Sequence, residues 1–320
     1  VLLLAVVAGG AWYTSPAWMN GPVSDDRLRI ANALASRDVI GIVHADVART
    51  LKIEERLTGA RDADALLSAD DTLDSLIAAG LDPADIDDIL AASYAGPAGM
   101  HWTIAITGRI DPQAVQTWIG DRFDVERTGG DTVFFSWLDE QRCEQVPMKA
   151  ARISPTSIVI TDADRVDEVW ARIQSGAPAE VAIDDWLGMT GHQLVTLGIM
   201  NPAGLGQAAD GMAGMMLAAA SQAAMPAEAL YVGIAPALAP PGVVLTGGVT
   251  SDNAGFLDLV HSSGASWLDE VRSTVADQPD VLDLVDRITI EREGRMVTAG
   301  IRFDTNVDEE IETLLGGVME

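Results

Sequence analysis

The sequence predicts an α+β protein: an N-terminal membrane-anchor helix followed by two related α/β modules with mainly antiparallel sheets. Three observations carry that reading. The first twelve residues, Val1 to Trp12, hold no charge. One pattern recurs four times: an apolar β-rich run, a polar break, then apolar residues at helical spacing. Finally, 320 residues exceed what one hydrophobic core organises, so two units of roughly 130–150 residues are expected.

The anchor comes first. Trp12, Tyr13 and Trp18 stand where the aromatic belt of a membrane helix stands. The apolar run is shorter than the ~20 residues a span needs. Because the sequence opens on Val1 and not on Met, the rest of the span is expected upstream. A secretory signal is the competing reading, and it would end at a small-x-small cleavage site. No Lys or Arg precedes Arg27 and the chain beyond is acidic. The positive-inside rule therefore puts the bulk of the chain outside the cytoplasm, periplasmic in a Gram-negative cell, on a single-pass anchor in the cell membrane. Ala5, Ala8, Gly9 and Gly10, with Trp12 beside them, let a second helix approach closely. An integral-membrane protein is the partner expected there. Residues 1–19 are read as anchor and 20–35 as a tether with Gly21, Pro22 and the pair Asp25–Asp26.

The body divides at the turn Ser175–Pro178, giving modules 36–177 and 178–320. The four strand-to-helix units begin at His101, Thr156, Gly242 and Met296. A helix start leaves N–H groups unpaired, and a short polar side chain accepts from them. Asp111 before Pro112, Thr161 with Asp164, Asp252, and Thr305 with Asp308 are assigned that task. Behind them, Val115 with Trp118 and Ile119, Val166 with Val169, Trp170 and Ile173, and Ile311 with Leu314 and Leu315 each form an apolar helix face. Further strands are expected at 38–45, 132–137, 192–200, 229–237 and 283–291, and helices at 46–57, 62–80 and 204–225.

Charge narrows the function. Twenty basic against 48 acidic residues give a net charge of −28, which repels phosphate backbones and excludes nucleic-acid binding. Cys143 is the single cysteine, so neither an intrachain disulfide nor a cysteine zinc site is available. The acidic runs Asp85-x-Asp87-Asp88 and Asp162 to Glu168 lack calcium-loop spacing and are read as helix-start carboxylates. Gly204-x-Gly206-x-x-Ala209 follows a strand, but four residues including Pro202 intervene and no acidic residue ends a second strand at the distance a dinucleotide site needs. The four histidines have no zinc spacing. His44-Val-Asp46 pairs a base with a carboxylate, but no nucleophile accompanies it. No cofactor, metal or catalytic motif is therefore assigned.

The stretch 204–225 carries Met212, Met215, Met216 and Met225 among Ala and Gly, with Asp210 its one charge. It reads as a helix shielded from water, with Met212, Met215 and Met216 as contacts for a partner or an apolar, lipid-like ligand. The expected function is a non-catalytic, membrane-anchored accessory or scaffold subunit of a membrane protein assembly. Its rival is an anchored carrier for an apolar ligand.

Overall fold

A computed structural model describes residues 25–58, 82–96, 99–129, 132–139, 144–162, 165–190, 193–200, 226–238 and 241–304, with Glu310 and Thr313. Ala5, Ala8, Gly9, Gly10, Trp12, Met212, Met215 and Met216 lie outside the described residues, as do Cys143 and the stretches 62–80 and 204–225.

The described chain is α+β with one large antiparallel sheet. Its elements in order are α1 (Asp25–Leu34), β1 (Val39–Asp46), α2 (Val47–Thr58), β2 (Ile86–Gly96), β3 (Gly99–Gly108), α3 (Pro112–Arg122), β4 (Asp124–Gly129), β5 (Thr132–Asp139), β6 (Glu144–Ser154), β7 (Ser157–Asp162), α4 (Val166–Ser175), α5 (Asp184–Thr190), β8 (Val195–Ile199), β9 (Ala229–Leu238), β10 (Pro241–Thr250), α6 (Ala254–Thr274), α7 (Pro279–Asp286), β11 (Thr289–Glu293) and β12 (Met296–Phe303). The strands lie in the order β11-β12-β10-β9-β8-β1-β2-β3-β7-β6-β5-β4. Outward from the β1–β8 contact, one side runs β1-β2-β3-β7-β6 and the other β8-β9-β10-β12-β11, so β3 and β10 hold corresponding places.

Strand alternation sends side chains to two faces. The front face carries Ile42, Leu90, Ala92, Tyr94, Ala105, Val159 and Tyr231, buried beneath α1, α4 and α5 through Ile30, Leu34, Val169, Ile173 and Trp186. The back face is covered at its two ends. At one end α3 lays Val115 and Ile119 on Ile158 and Ile160. At the other, Leu268 and Val271 of α6 and Val281 and Val285 of α7 form a cluster with Ile290 of β11.

Several local expectations hold in detail. Asp111 caps α3 by accepting from Gln113 N at 2.9 Å, with Pro112 behind it. Val166, Val169 and Ile173 are the buried residues of α4, but Trp170 is exposed. Others differ for physical reasons. The cap of α6 is Asn253, which accepts from Phe256 N, one residue beyond Asp252. Thr161 does not cap α4; it is a strand residue whose hydroxyl meets Thr103 Oγ1 at 2.6 Å. Residues 283–286 belong to helix α7, not to a strand, because Val281, Leu284 and Val285 at helical spacing are buried. Asp25–Leu34, inside the stretch read as tether, is a helix whose Ile30, Ala31, Ala33 and Leu34 are in the core.

Gly108 ends β3 with φ +143°, and a Cβ there would collide with the Asp85 carbonyl and the Ile86 and Asp87 backbone. That close approach lets Arg109 N donate to Asp85 O at 2.8 Å. Gly108→Ala is expected to cost about 2–3 kcal/mol through backbone strain. Urea unfolding measures it, and a loss below about 1 kcal/mol would show that the approach has no energetic weight.

Candidate functional site

Direct partners in antiparallel strands share a face, so the registers fix which side chains neighbour one another on the back of the six central strands. One row is Ile104, Ala91, Val43, Leu197, Val232 and Gly247. The next is Ile106, Ile89, Ala45, Val195, Ile234 and Leu245. The third is Trp102, Ser93, Gly41, Ile199, Leu230 and Val249. None of these positions is charged. The Ser93 hydroxyl and the Trp102 indole are their only side-chain hydrogen-bonding groups.

Such a surface belongs in a core, yet Trp102 is 40 %, Ile104 37 %, Val232 44 % and Leu245 38 % exposed. Val43, Ala91, Leu197 and Ile199 are half-buried. At ~4.8 Å between strands and ~6.8 Å per two residues, the three rows span about 24 Å by about 14 Å, roughly 330 Å², with Gly41, Ser93 and Val195 buried within them. Exposed apolar patches of that size mark interaction surfaces. By contrast, the cavity beneath α3, lined by Val115, Val133, Ala150 and Ile158, measures about 10 Å³, room for no more than one water.

A second feature lies on the front face, at the end where β1 stops and β2 starts. His44 is fully buried, and its Nε2 lies 2.8 Å from Asp88 Oδ1. Arg27 of α1 reaches the same oxygen with Nη2 at 2.5 Å and Asp46 Oδ2 at 3.4 Å. Asp46 also accepts from Arg49 N at 2.9 Å, and the Arg49 guanidinium donates to the Gln193 carbonyl. Because an ionised carboxylate only accepts, Nε2 carries the imidazole proton and Nδ1 is the bare nitrogen. Nδ1 has no hydrogen-bond partner among the described residues. The Trp186 ring stands edge-on to the imidazole, 6.4 Å between centroids.

Burial lowers the His44 pKa, and Arg27 pushes the same way against Asp88 and Asp46, so the ring is held neutral. Burial would raise Asp88, but the His44 hydrogen bond and the Arg27 charge outweigh it and hold the carboxyl below its ordinary range. The two guanidiniums then balance the two carboxylates. This dyad is not the one the sequence placed at His44-Val-Asp46. Both side chains do share a face, but the register sets Asp46 opposite Asp88 and His44 opposite Leu90, so the nearer carboxylate comes from the neighbouring strand. Asp88 belongs to the acidic run read as helix-start carboxylates, but it is a buried strand residue paired with His44; neither it nor Arg27 or Arg49 is assigned to a site by the sequence. The available signal was the alternation Asp88, Leu90, Ala92, Tyr94, which puts an acid at a core position. The group is shut from water, and the Thr107 hydroxyl is turned to Asp88. It is built to hold α1, β1, β2 and α2 together.

Elsewhere, His101 Nδ1 meets Asp162 Oδ2 at 2.6 Å and Lys149 meets Asp167 at 3.0 Å, so members of the acidic run 162–168 serve in pairs. Among the described residues no three or more His, Cys, Asp or Glu side chains converge to hold a metal. No described helix is long and apolar enough to cross a membrane.

No family model and no curated protein matches the chain. Among solved structures it is similar to crystal form III of TP0453, at 9 % identity and a TM-score of 0.47, over 88 % of this chain and 96 % of that one. Form I gives 11 % and 0.44 over 89 % and 96 %, and form IV 9 % and 0.45 over 93 % and 100 %. A likeness of this degree carries nothing about function.

Asp88→Ala would leave Arg27 with Asp46 alone, a carboxylate already shared with Arg49, and the His44 Nε2–H without its acceptor. Removing one partner of a buried ion pair costs about 3–5 kcal/mol. Chemical denaturation measures this, and a cost below about 1 kcal/mol would show that the group does not hold these elements together.

Proposed function

We propose that this chain is a non-catalytic accessory subunit, held to the cell membrane by residues 1–19 with its body outside the cytoplasm, and that the open strip on the back of the sheet docks the apolar surface of an integral-membrane partner. The observation that carries the reading is the strip itself: three uncharged rows with Trp102, Ile104, Val232 and Leu245 exposed. A second copy of the chain fits poorly. Each copy carries −28, and roughly 330 Å² a side lies well under the ~800 Å² of a standard interface. An uncharged occupant avoids that repulsion.

A second reading is favoured by the near absence of hydrogen-bonding groups on the strip. Protein interfaces ordinarily supply about one hydrogen bond per 100–200 Å², whereas hydrocarbon requires none. In this reading the chain carries a lipid-like ligand on the same strip, with Met212, Met215 and Met216 of the neighbouring stretch as further contacts. The corresponding strand orders on the two sides of β1 and β8 support treating 36–177 and 178–320 as related modules, with the strip formed where they join.

Ile104→Asp and Val232→Asp test the strip. Both side chains are already partly in water, so the melting temperature should fall by no more than a few degrees. Co-purification from mild detergent of a membrane protein, or of extractable lipid on the second reading, should fall at least tenfold. Unchanged recovery of either would remove the strip from the function. The anchor is tested separately: Gly9 and Gly10 exchanged for Leu should leave insertion intact and weaken co-purification of the partner protein, because close helix approach is lost. Undiminished co-purification would reduce residues 1–19 to a tether.

A further inference from the structure

The first turn of α1 is held differently from its last. At the C-terminal end Tyr94 OH donates to Leu34 O at 3.0 Å, and Arg172 donates to Ala33 O at 2.9 Å and Asn32 O at 3.2 Å. Ile30, Ala31, Ala33 and Leu34 are buried there. In the first turn Asp25, Leu28 and Arg29 are exposed, and Arg27 is the side chain that enters the protein. It does so beside His44, sharing Asp88 Oδ1 with the imidazole.

We propose that His44 is an acid-sensing latch that holds the first turn of α1, and with it the point where residues 1–24 join the body, against the sheet. The charged groups around the imidazole come from four elements: Asp88 of β2 meets it, Arg27 of α1 and Asp46 of its own strand act on it through space, and Arg49 of α2 pairs with Asp46. Among the described residues beside it, Thr196 opposite on β8, Leu90 opposite on β2, Thr107 of β3 bound to Asp88 and Trp186 of α5 are neutral. With His44 neutral the four charges cancel. A proton on His44 adds a buried positive charge next to Arg27, and both cations then compete for one carboxylate oxygen. Arg27 cannot shed its proton, so the strain is relieved when Arg27 swings out and water reaches the ring.

The direction with pH follows from linkage. A water-exposed His44 binds its proton with the ordinary pKa of about 6.5, whereas the docked ring is held below that value. The undocked form therefore binds more protons, and docking is undisturbed above about pH 7. Below about pH 6.5 the undocked-to-docked ratio rises by up to tenfold per pH unit, until the docked ring itself titrates.

A spin label on Leu28→Cys, in the full chain with Cys143→Ser, reads the first turn, and Leu259→Cys on α6 serves as reference. Label mobility at position 28 should increase between pH 7.5 and 5 while position 259 stays constant. In His44→Gln, which keeps an N–H donor and takes no proton, the response should vanish. A pH-independent label at position 28, equal loosening at 259, or an unchanged response in His44→Gln would each overturn the latch. If His44→Gln does not fold, the imidazole nitrogen resonances of the chain with native His44 replace it. A His44 titration sharing the label's midpoint supports the proposal, and one displaced by more than about one pH unit overturns it.

Discussion

The antiparallel contact between β1 and β8 is the constraint on which the rest of the structure depends. It runs from Gly41 opposite Ile199 to Ala45 opposite Val195, and among the described strands it alone joins the two halves of the sheet. Small residues make it possible. A Cβ on Gly41 would come within 3.3 Å of Gly198 O and Ser93 Oγ, and one on Gly198 would strike Trp186 and Met200. Without this contact β1 and β8 would each become a sheet edge with unpaired N–H and C=O groups, the situation that invites aggregation.

The same contact explains why a buried ionic group and an open apolar strip lie back to back. Side chains alternate along β1, so His44 and Asp46 enter the front and Val43 and Ala45 face the back. On the front, α1, α4 and α5 exclude water, and polar groups persist because each is paired: Arg27 with Asp88, Arg49 with Asp46, and the neutral His44 as a donor to Asp88. On the back, among the described elements, α3 and the α6–α7 pair cover the ends of the sheet, and six strands between them carry an uncharged surface partly in water. In a chain of net charge −28 such a surface is costly unless something uses it.

Arg165 shows how the front face is locked. Its guanidinium lies 3.7 Å from the Tyr94 ring centroid and 2.7 Å from Asp38 Oδ2, tying the start of α4 to the turn after α1. Burial would raise the Asp38 carboxyl, but hydrogen bonds from Arg165 and Ser36 outweigh it and keep it below its ordinary range, so the pair remains charged. The helices over the front are thus positioned by ion pairs at their ends and by apolar burial between them.

The sequence by itself determined that the chain is α+β with mainly antiparallel strands and much of the strand and helix placement, because periodicity and capping are local: Asp111-Pro112 starts a helix, and 132–137 and 229–237 alternate as strands wherever they end up. Beyond that reach were β2, whose Asp- and Ala-rich run is a poor strand former held by β1 and β3 on either side, and α7, whose apolar residues are helical against α6. Only the tertiary structure decided that His44 meets Asp88, shared with Arg27, and not Asp46, and that residues from six strands share one uncharged face. Both depend on strand register and strand order across distant parts of the chain, and those are settled by which faces can be buried together, a property no single segment possesses.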